Sequence, residues 1–198
     1  MKLDRLEFQN FRQFYGDQSI EFSEEEDRNV TVIHGSNGSG KTTILNAFLW
    51  LFYGEVSLPK ADQIASERAL AEEAPNGTVD VEVVLEFVHD DIHYTATRAK
   101  TVRPESGGEL TGTEVSTDLT LEYVDETGNR KVRGNPSDAL RQIMPERLRE
   151  IFFFDGETID ELSELGGQEK IQTAIQNIMG LTILERARRH LDKVRKLF

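Results

Sequence analysis

The sequence predicts an α/β fold built around a phosphate-binding loop, and three adjacent segments predict it. Val30-Thr31-Val32-Ile33 is an apolar run of the kind that forms a buried strand. It leads directly into Gly35-Ser36-Asn37-Gly38-Ser39-Gly40-Lys41-Thr42, which matches the nucleotide-binding pattern of two glycines with four residues between them, then Lys and Thr. Ile44 to Tyr53 then has helical character and stops at Gly54. The flanking strand and helix separate this loop from a chance glycine-rich turn.

The spacing serves a chemistry. Glycines 35, 38 and 40 let the backbone curl until successive N–H groups point inward as an anion nest. The helix that starts near Lys41 adds its positive N-terminal dipole. Lys41 is the expected catalytic cation, reaching the β- and γ-phosphates of ATP, and Thr42 the expected Mg²⁺ ligand. Ser36, Asn37, Gly38, Ser39, Gly40 and Thr43 complete the candidate nucleotide-binding set.

The remaining elements follow from local pattern. Lys2 to Phe14 alternates Leu6 and Phe8 with charged neighbours and predicts a strand; Ser19 to Phe22 predicts another. Ala61 to Ala74 predicts an exposed helix closed by Pro75-Asn76-Gly77. Val79–Val88 and Ile92–Val102, around Asp90-Asp91, predict a β-hairpin. Pro104 to Gly112 predicts a mobile tip, and Leu119 to Val124 a further strand. Asn135-Pro136-Ser137-Asp138 predicts a helix start. Ile151 to Phe154 predicts a short strand, and two helices are expected over 169–179 and 182–198.

Composition narrows the class. The 198 residues suffice for one domain with a core, or a domain with an appendage. No apolar stretch approaches the ~18 residues of a membrane span, and the N-terminus does not read as a signal peptide, so a cytoplasmic protein with no membrane partner is expected. Zero cysteines exclude disulfides, thiolate metal sites and cysteine catalysis. A net charge of -13, with eight Lys and fifteen Arg among the cations, opposes a uniformly basic nucleic-acid surface. Salt adaptation and an ordinary acidic protein both account for it. Two islands run against the excess: residues 128–149 and residues 181–198 each hold six bases against two acids.

The flanks of the loop resemble the SMC-type ATPases of chromosome maintenance and double-strand-break repair. Leu6-x-Phe8-x-Asn10-Phe11-Arg12 and Ile20-x-Phe22 look like that family's opening strands. His34 to Thr42, with Asn before Gly, is similar to its phosphate loop; Ile44-Leu45-Asn46-Ala47 and Leu51-Phe52-Tyr53-Gly54 look like its first helix. Phe152-Phe153-Phe154-Asp155-Gly156-Glu157 most resembles the DndD subgroup, the ATPase of DNA phosphorothioate modification. The resemblance implies the N-terminal lobe of an ABC-type head: a mixed sheet around the phosphate-loop helix, an antiparallel hairpin region and a helix entering a coiled coil. Residues 1–180 would be the lobe and 181–198 the coiled-coil start, where Leu184, Ala187, Leu191, Val194 and Phe198 form a heptad seam. An amphipathic helix packed on the domain fits the seam as well.

The resemblance also implies a nucleotide contact for Arg12, with Gln13 beside it; a surface arginine is the alternative. Two metal roles compete for Asp155. Four apolar residues and an acid have the Walker B shape, with Asp155 on Mg²⁺ and Glu157 orienting water. The family reading instead puts Asp155 at the Q-loop, where most relatives carry Gln; a structural turn is the third reading. ATP and Mg²⁺ are the implied cofactors. The implied partners are the protein's own C-terminal half carrying Walker B and signature motifs, a second head on ATP binding, DNA, and DNA-modification or nuclease subunits. A nucleotide-sensing assembly module is the alternative. Leu165-Gly166-Gly167-Gln168 superficially looks like the ABC signature but is followed by basic helical sequence, and His89-Asp90-Asp91-Ile92-His93 reads as a polar hairpin tip rather than a metal site.

Overall fold

Alternation at period two sets the central strand. In β3 (Val79–His89) Val79, Val81, Val83, Leu85 and Phe87 are buried while Asp80 and Glu86 are exposed. The computed structural model describes residues 1–23, 25–57, 63–105 and 111–153. The chain divides into two compact units, Met1–Ile143 and Met144–Phe198.

In the first unit β3 lies inside a six-stranded sheet with β1 (Lys2–Gln9), β2 (Asp17–Glu21), β4 (Ile92–Pro104), β5 (Gly112–Val124) and β6 (Arg130–Val132). The order is β2-β1-β3-β4-β5-β6, and every neighbouring pair is antiparallel. This corrects the expected mixed sheet. The run expected to bring a parallel strand, Val30–Ile33, has no regular secondary structure and lies outside the sheet, with Val30 75%, Val32 68% and Ile33 40% exposed. It carries apolar side chains at successive positions, so it needs cover on more than one side, and no described strand pairs with it.

The inner face is built in cross-strand rows. Leu6 pairs with Leu85, Leu85 with Ala96 and Ala96 with Leu121, all four fully buried. Burying each of the three leucines contributes about 1.5–3 kcal/mol. On this face lies α1 (Lys41–Tyr53), with Phe52 against Phe87 at 6.4 Å and Trp50 against Phe11 at 5.5 Å. Six consecutive residues of α1, Ala47 to Phe52, are buried, so the helix is apolar all round rather than on one stripe. It ends at Gly54, which has φ 76° and donates its N–H to the Trp50 carbonyl at 2.8 Å. A third helix, α3 (Pro136–Ile143), follows β6 and buries Leu140; the Asn135 side chain accepts the Asp138 N–H at 3.2 Å as a cap.

Several boundaries move. The expected strand Lys2–Phe14 stops at Gln9, because Asn10 and Arg12 take left-handed φ values of 49° and 57°. The second strand begins earlier than Ser19, at Asp17. The helix expected over 61–74 is α2 (Glu67–Glu73), and Ala69 and Leu70 on it are buried. The β3–β4 hairpin forms as expected, with Asp90 and Asp91 both left-handed, which suits the twist of the flanking strands. The expected tip is framed by strands reaching Pro104 and leaving Gly112.

In the second unit a 3-10 turn, Glu146–Leu148, leads into α4 (Arg149–Phe152). The strand expected at 151–154 is therefore helical through Phe152, with Phe153 N donating to the Arg149 carbonyl at 2.8 Å. A four-residue apolar run does not separate strand from helix by periodicity. Asp155, Glu157, the Leu165–Gln168 segment, both later helices and the seam lie outside the described residues. Among the described residues no helix is long and apolar enough to cross a membrane.

Candidate functional site

The phosphate loop forms where the sequence places it. Ser36, Asn37, Gly38 and Ser39 are exposed, Gly40 caps α1, and Lys41, Thr42 and Thr43 make its first turn. The loop folds back through Ser39 N donating to the Ser36 carbonyl at 3.2 Å. A Cβ at Gly35 would run into the Ser39 hydroxyl and force it to turn away, so glycine suits the close approach there. Gly40 has φ 105°, and a Cβ on it would come within 2.7 Å of both Gln13 Nε2 and Phe14 Cζ.

Lys41 Nζ donates to the carbonyls of Gly35 and Ser36, each at 2.8 Å. The ammonium is thus held over the loop that would receive phosphate. The first turn of α1 contains no acidic side chain and no side chain caps its N–H groups. Uncapped amides, an exposed lysine and the helix dipole make a donor set suited to a polyphosphate. Thr42 is exposed and offers one hard oxygen to Mg²⁺. Among the described residues no three of His, Cys, Asp or Glu gather to hold a metal by themselves. The site therefore fits a metal that arrives with phosphate oxygens.

Arg12 and Gln13 sit in the turn after β1. Arg12 Nη1 donates to the Gln63 carbonyl at 2.6 Å. Burial lowers the Arg12 pKa and the nearby Glu67 charge opposes that shift. Gln13 accepts the Thr43 hydroxyl at 2.6 Å. The structure thus brings together Gln13, Gly40 and Thr43, and separately Lys41 with its own loop. Asp155 lies outside the described residues.

Three contributors were not singled out from sequence. Phe14 wedges against Gly40 and stacks on Phe8 at 5.0 Å and 9°. Asn46, buried on α1, accepts the Ser57 N–H at 2.5 Å and donates to the Thr42 carbonyl at 2.8 Å, tying the chain beyond the helix to its first turn. Arg98, in the inner-face register of β4, donates Nε to the Leu51 carbonyl at 3.1 Å. A charge at an inward position between Ala96 and Val102 was the available signal.

The basic island at 128–149 is partly spent internally. Arg130 pairs with Glu122 at 3.6 Å and Lys131 with Asp125 at 2.6 Å. Arg133 lies 4.3 Å over the Tyr123 ring and donates to the Tyr94 hydroxyl at 3.3 Å. Arg141 and Arg147 make no ion pair among the described residues. His89 and His93 flank the hairpin turn, with His89 Nε2 3.5 Å from Asp90.

A glycine loop on a helix N-terminus, with its lysine in place, defines a P-loop nucleotide-binding domain. The chain belongs to the AAA domain family, which matches residues 5–198. It is similar to the DNA double-strand break repair Rad50 ATPase of Halobacterium salinarum, 35% identical over 89 residues, or 45% of this chain and 9% of that protein. It is also similar to the SbcC component of the nuclease SbcCD of Vibrio cholerae, 29% identical over 143 residues, or 71% of this chain and 13% of that protein. The chain spans about a tenth of the length of these relatives.

Proposed function

We propose that this chain is the ATP-binding N-terminal part of an SMC-like ATPase head that works in DNA repair with a nuclease partner. The observation that carries this reading is the Lys41 ammonium held on the Gly35 and Ser36 carbonyls of a loop that ends at the uncapped first turn of α1. The Rad50 and SbcC likenesses supply the DNA and nuclease context. ATP and Mg²⁺ bind at 36–43, Arg12 adds a cation from the neighbouring turn, and Asp155 completes the metal site as a Q-loop or Walker B acid.

The exposed Val30–Ile33 run supports a head completed by further sequence. An apolar strand leading into a phosphate loop is stable only when covered. Its partner strands, the signature motif and the hydrolytic acids belong to a C-terminal half. Two such heads close on ATP as a homodimer, residues 1–180 form the lobe, and 181–198 begin a coiled coil. DNA is met through basic islands, of which Arg141 is an exposed member of the first unit with neither an ion pair nor a ring contact among the described residues. The DndD reading rests on residues 152–157, most of which lie outside the described set, so repair is favoured over phosphorothioate modification.

The test is titration of the full-length protein with ATP and Mg²⁺. Lys41→Ala should weaken binding about ten- to a hundredfold, the worth of a charge-assisted contact to phosphate. Equal affinity in wild type and Lys41→Ala would sink the assignment. DNA binding that falls steeply with salt supports the repair head; tight protein-partner binding without DNA binding supports the assembly-module alternative.

A further inference from the structure

The turn after β1 is clamped on several sides. Asn10 N donates to the Gly16 carbonyl at 3.1 Å and the Asn10 side chain accepts the Gly16 N–H at 2.9 Å. Arg12 N donates to the Ile64 carbonyl at 2.7 Å, and Ser66 N to the Asn10 carbonyl at 2.8 Å. Phe14 is stacked on Phe8 of β1. The turn is thus tied to the sheet and to the segment before α2, and its backbone is fixed before any ligand arrives.

Gln13 carries that rigidity to the phosphate loop. Thr43 is 4% exposed, and its hydroxyl donates to Oε1 of the exposed Gln13, an acceptor that water can replace. The other end of the same amide, Nε2, packs where any Cβ on Gly40 would sit. It makes no hydrogen bond among the described residues. One side chain therefore touches the residue before Lys41 and the residue after Thr42. Nothing in the glycine pattern requires this contact, and it spans 30 positions of sequence.

We propose that Gln13 is a positioning residue for the nucleotide site: it fixes the first turn of α1, and with it Lys41 and Thr42, through the Thr43 hydroxyl and the Gly40 wedge. This rests on the nucleotide-binding reading above. A frame set in advance raises affinity because less order is lost on binding. Gln13 itself is exposed, so its removal leaves the core untouched.

The experiment measures ATP affinity of the full-length protein with and without Mg²⁺, together with thermal unfolding without nucleotide. Gln13→Ala and Thr43→Val should each weaken Mg·ATP binding about fivefold, the worth of one hydrogen bond. The double variant should be no weaker than the worse single one, because both remove the same link. Thr43→Ser, which restores the hydroxyl, should recover the affinity. The unfolding temperature of Gln13→Ala should stay within about 1 °C of wild type. Wild-type affinity in Gln13→Ala, or losses that multiply in the double variant, would overturn the proposal while the nucleotide site stands. A loss matched by a fall in unfolding temperature would overturn it too, showing a structural role only. A wild type that takes up no ATP overturns both readings.

Discussion

Arg98 donates its Nε hydrogen to the Leu51 carbonyl at 3.1 Å, so a cation of the sheet closes the helix that opens at the phosphate loop. Arg98 stands in the inner-face row between Val83 and Leu119, where the other members are apolar. A cation belongs at a helix C-terminus, where carbonyls are left over and the dipole is negative. Burial, and then the neighbouring Arg141 charge, lower the Arg98 pKa. Arg98→Met, which keeps the bulk, should cost about 1–3 kcal/mol in denaturant unfolding. Arg141→Gln removes the like charge and should leave stability unchanged or raised by up to about 0.5 kcal/mol. A neutral Arg98→Met would mean the helix end is satisfied without it.

On the opposite face the register sets Arg5 directly between Glu21 of β2 and Glu86 of β3, and Arg5 Nη2 pairs with Glu7 at 2.7 Å. Cross-strand neighbours are about 5 Å apart, so the arginine offsets repulsion among three carboxylates. Arg5→Ala should cost about 0.5–1 kcal/mol in dilute buffer. The cost should shrink in about 1 M KCl, where screening acts within ~3 Å. An equal loss at both salt concentrations would assign the effect to packing.

Local pattern carried much of this architecture, and non-local burial carried the rest. The phosphate loop was legible because glycine spacing and the flanking elements are short-range. The β3–β4 hairpin was legible because Val79 to Phe87 alternates and Asp90-Asp91 suits a tight turn. Val30–Ile33 was misjudged because apolar content says that a segment wants cover, not whether the cover is present. Residues 151–152 were misjudged because so short a run fits either periodicity. The link from Gln13 to Thr43 had no local signal, since two polar residues 30 apart meet only through the fold.

Asp125 gives a prediction with a defined sign. Its carboxylate receives Lys131 Nζ at 2.6 Å, the Thr127 hydroxyl at 2.7 Å, and the Asn129 and Thr127 N–H groups at 2.9 and 3.0 Å. The Lys131 ammonium first, then the Thr127 hydroxyl, hold its carboxyl well below the usual 3.8. A depressed folded-state pKa stabilises the fold above the unfolded value, and that stability is lost as pH falls through the folded value. The stability gap between wild type and Asp125→Asn should therefore be constant above about pH 5 and narrow below 3.8. Unfolding curves at neutral and acid pH test this; a gap that widens on acidification would contradict it.

The exposed run before the phosphate loop makes the sharpest test of a head completed by other sequence. Val32 is 68% exposed, so Val32→Asp should change the unfolding free energy of residues 1–198 by no more than about 0.5 kcal/mol. In the full-length protein the same carboxylate would be buried against partner strands without a counter-charge, at a cost of several kcal/mol. ATP turnover should then fall at least tenfold, while Val32→Ile stays active. A Val32→Asp variant that destabilises residues 1–198 by more than about 2 kcal/mol would show the run already covered within them. Full turnover in the full-length variant would show that nothing packs on it at all.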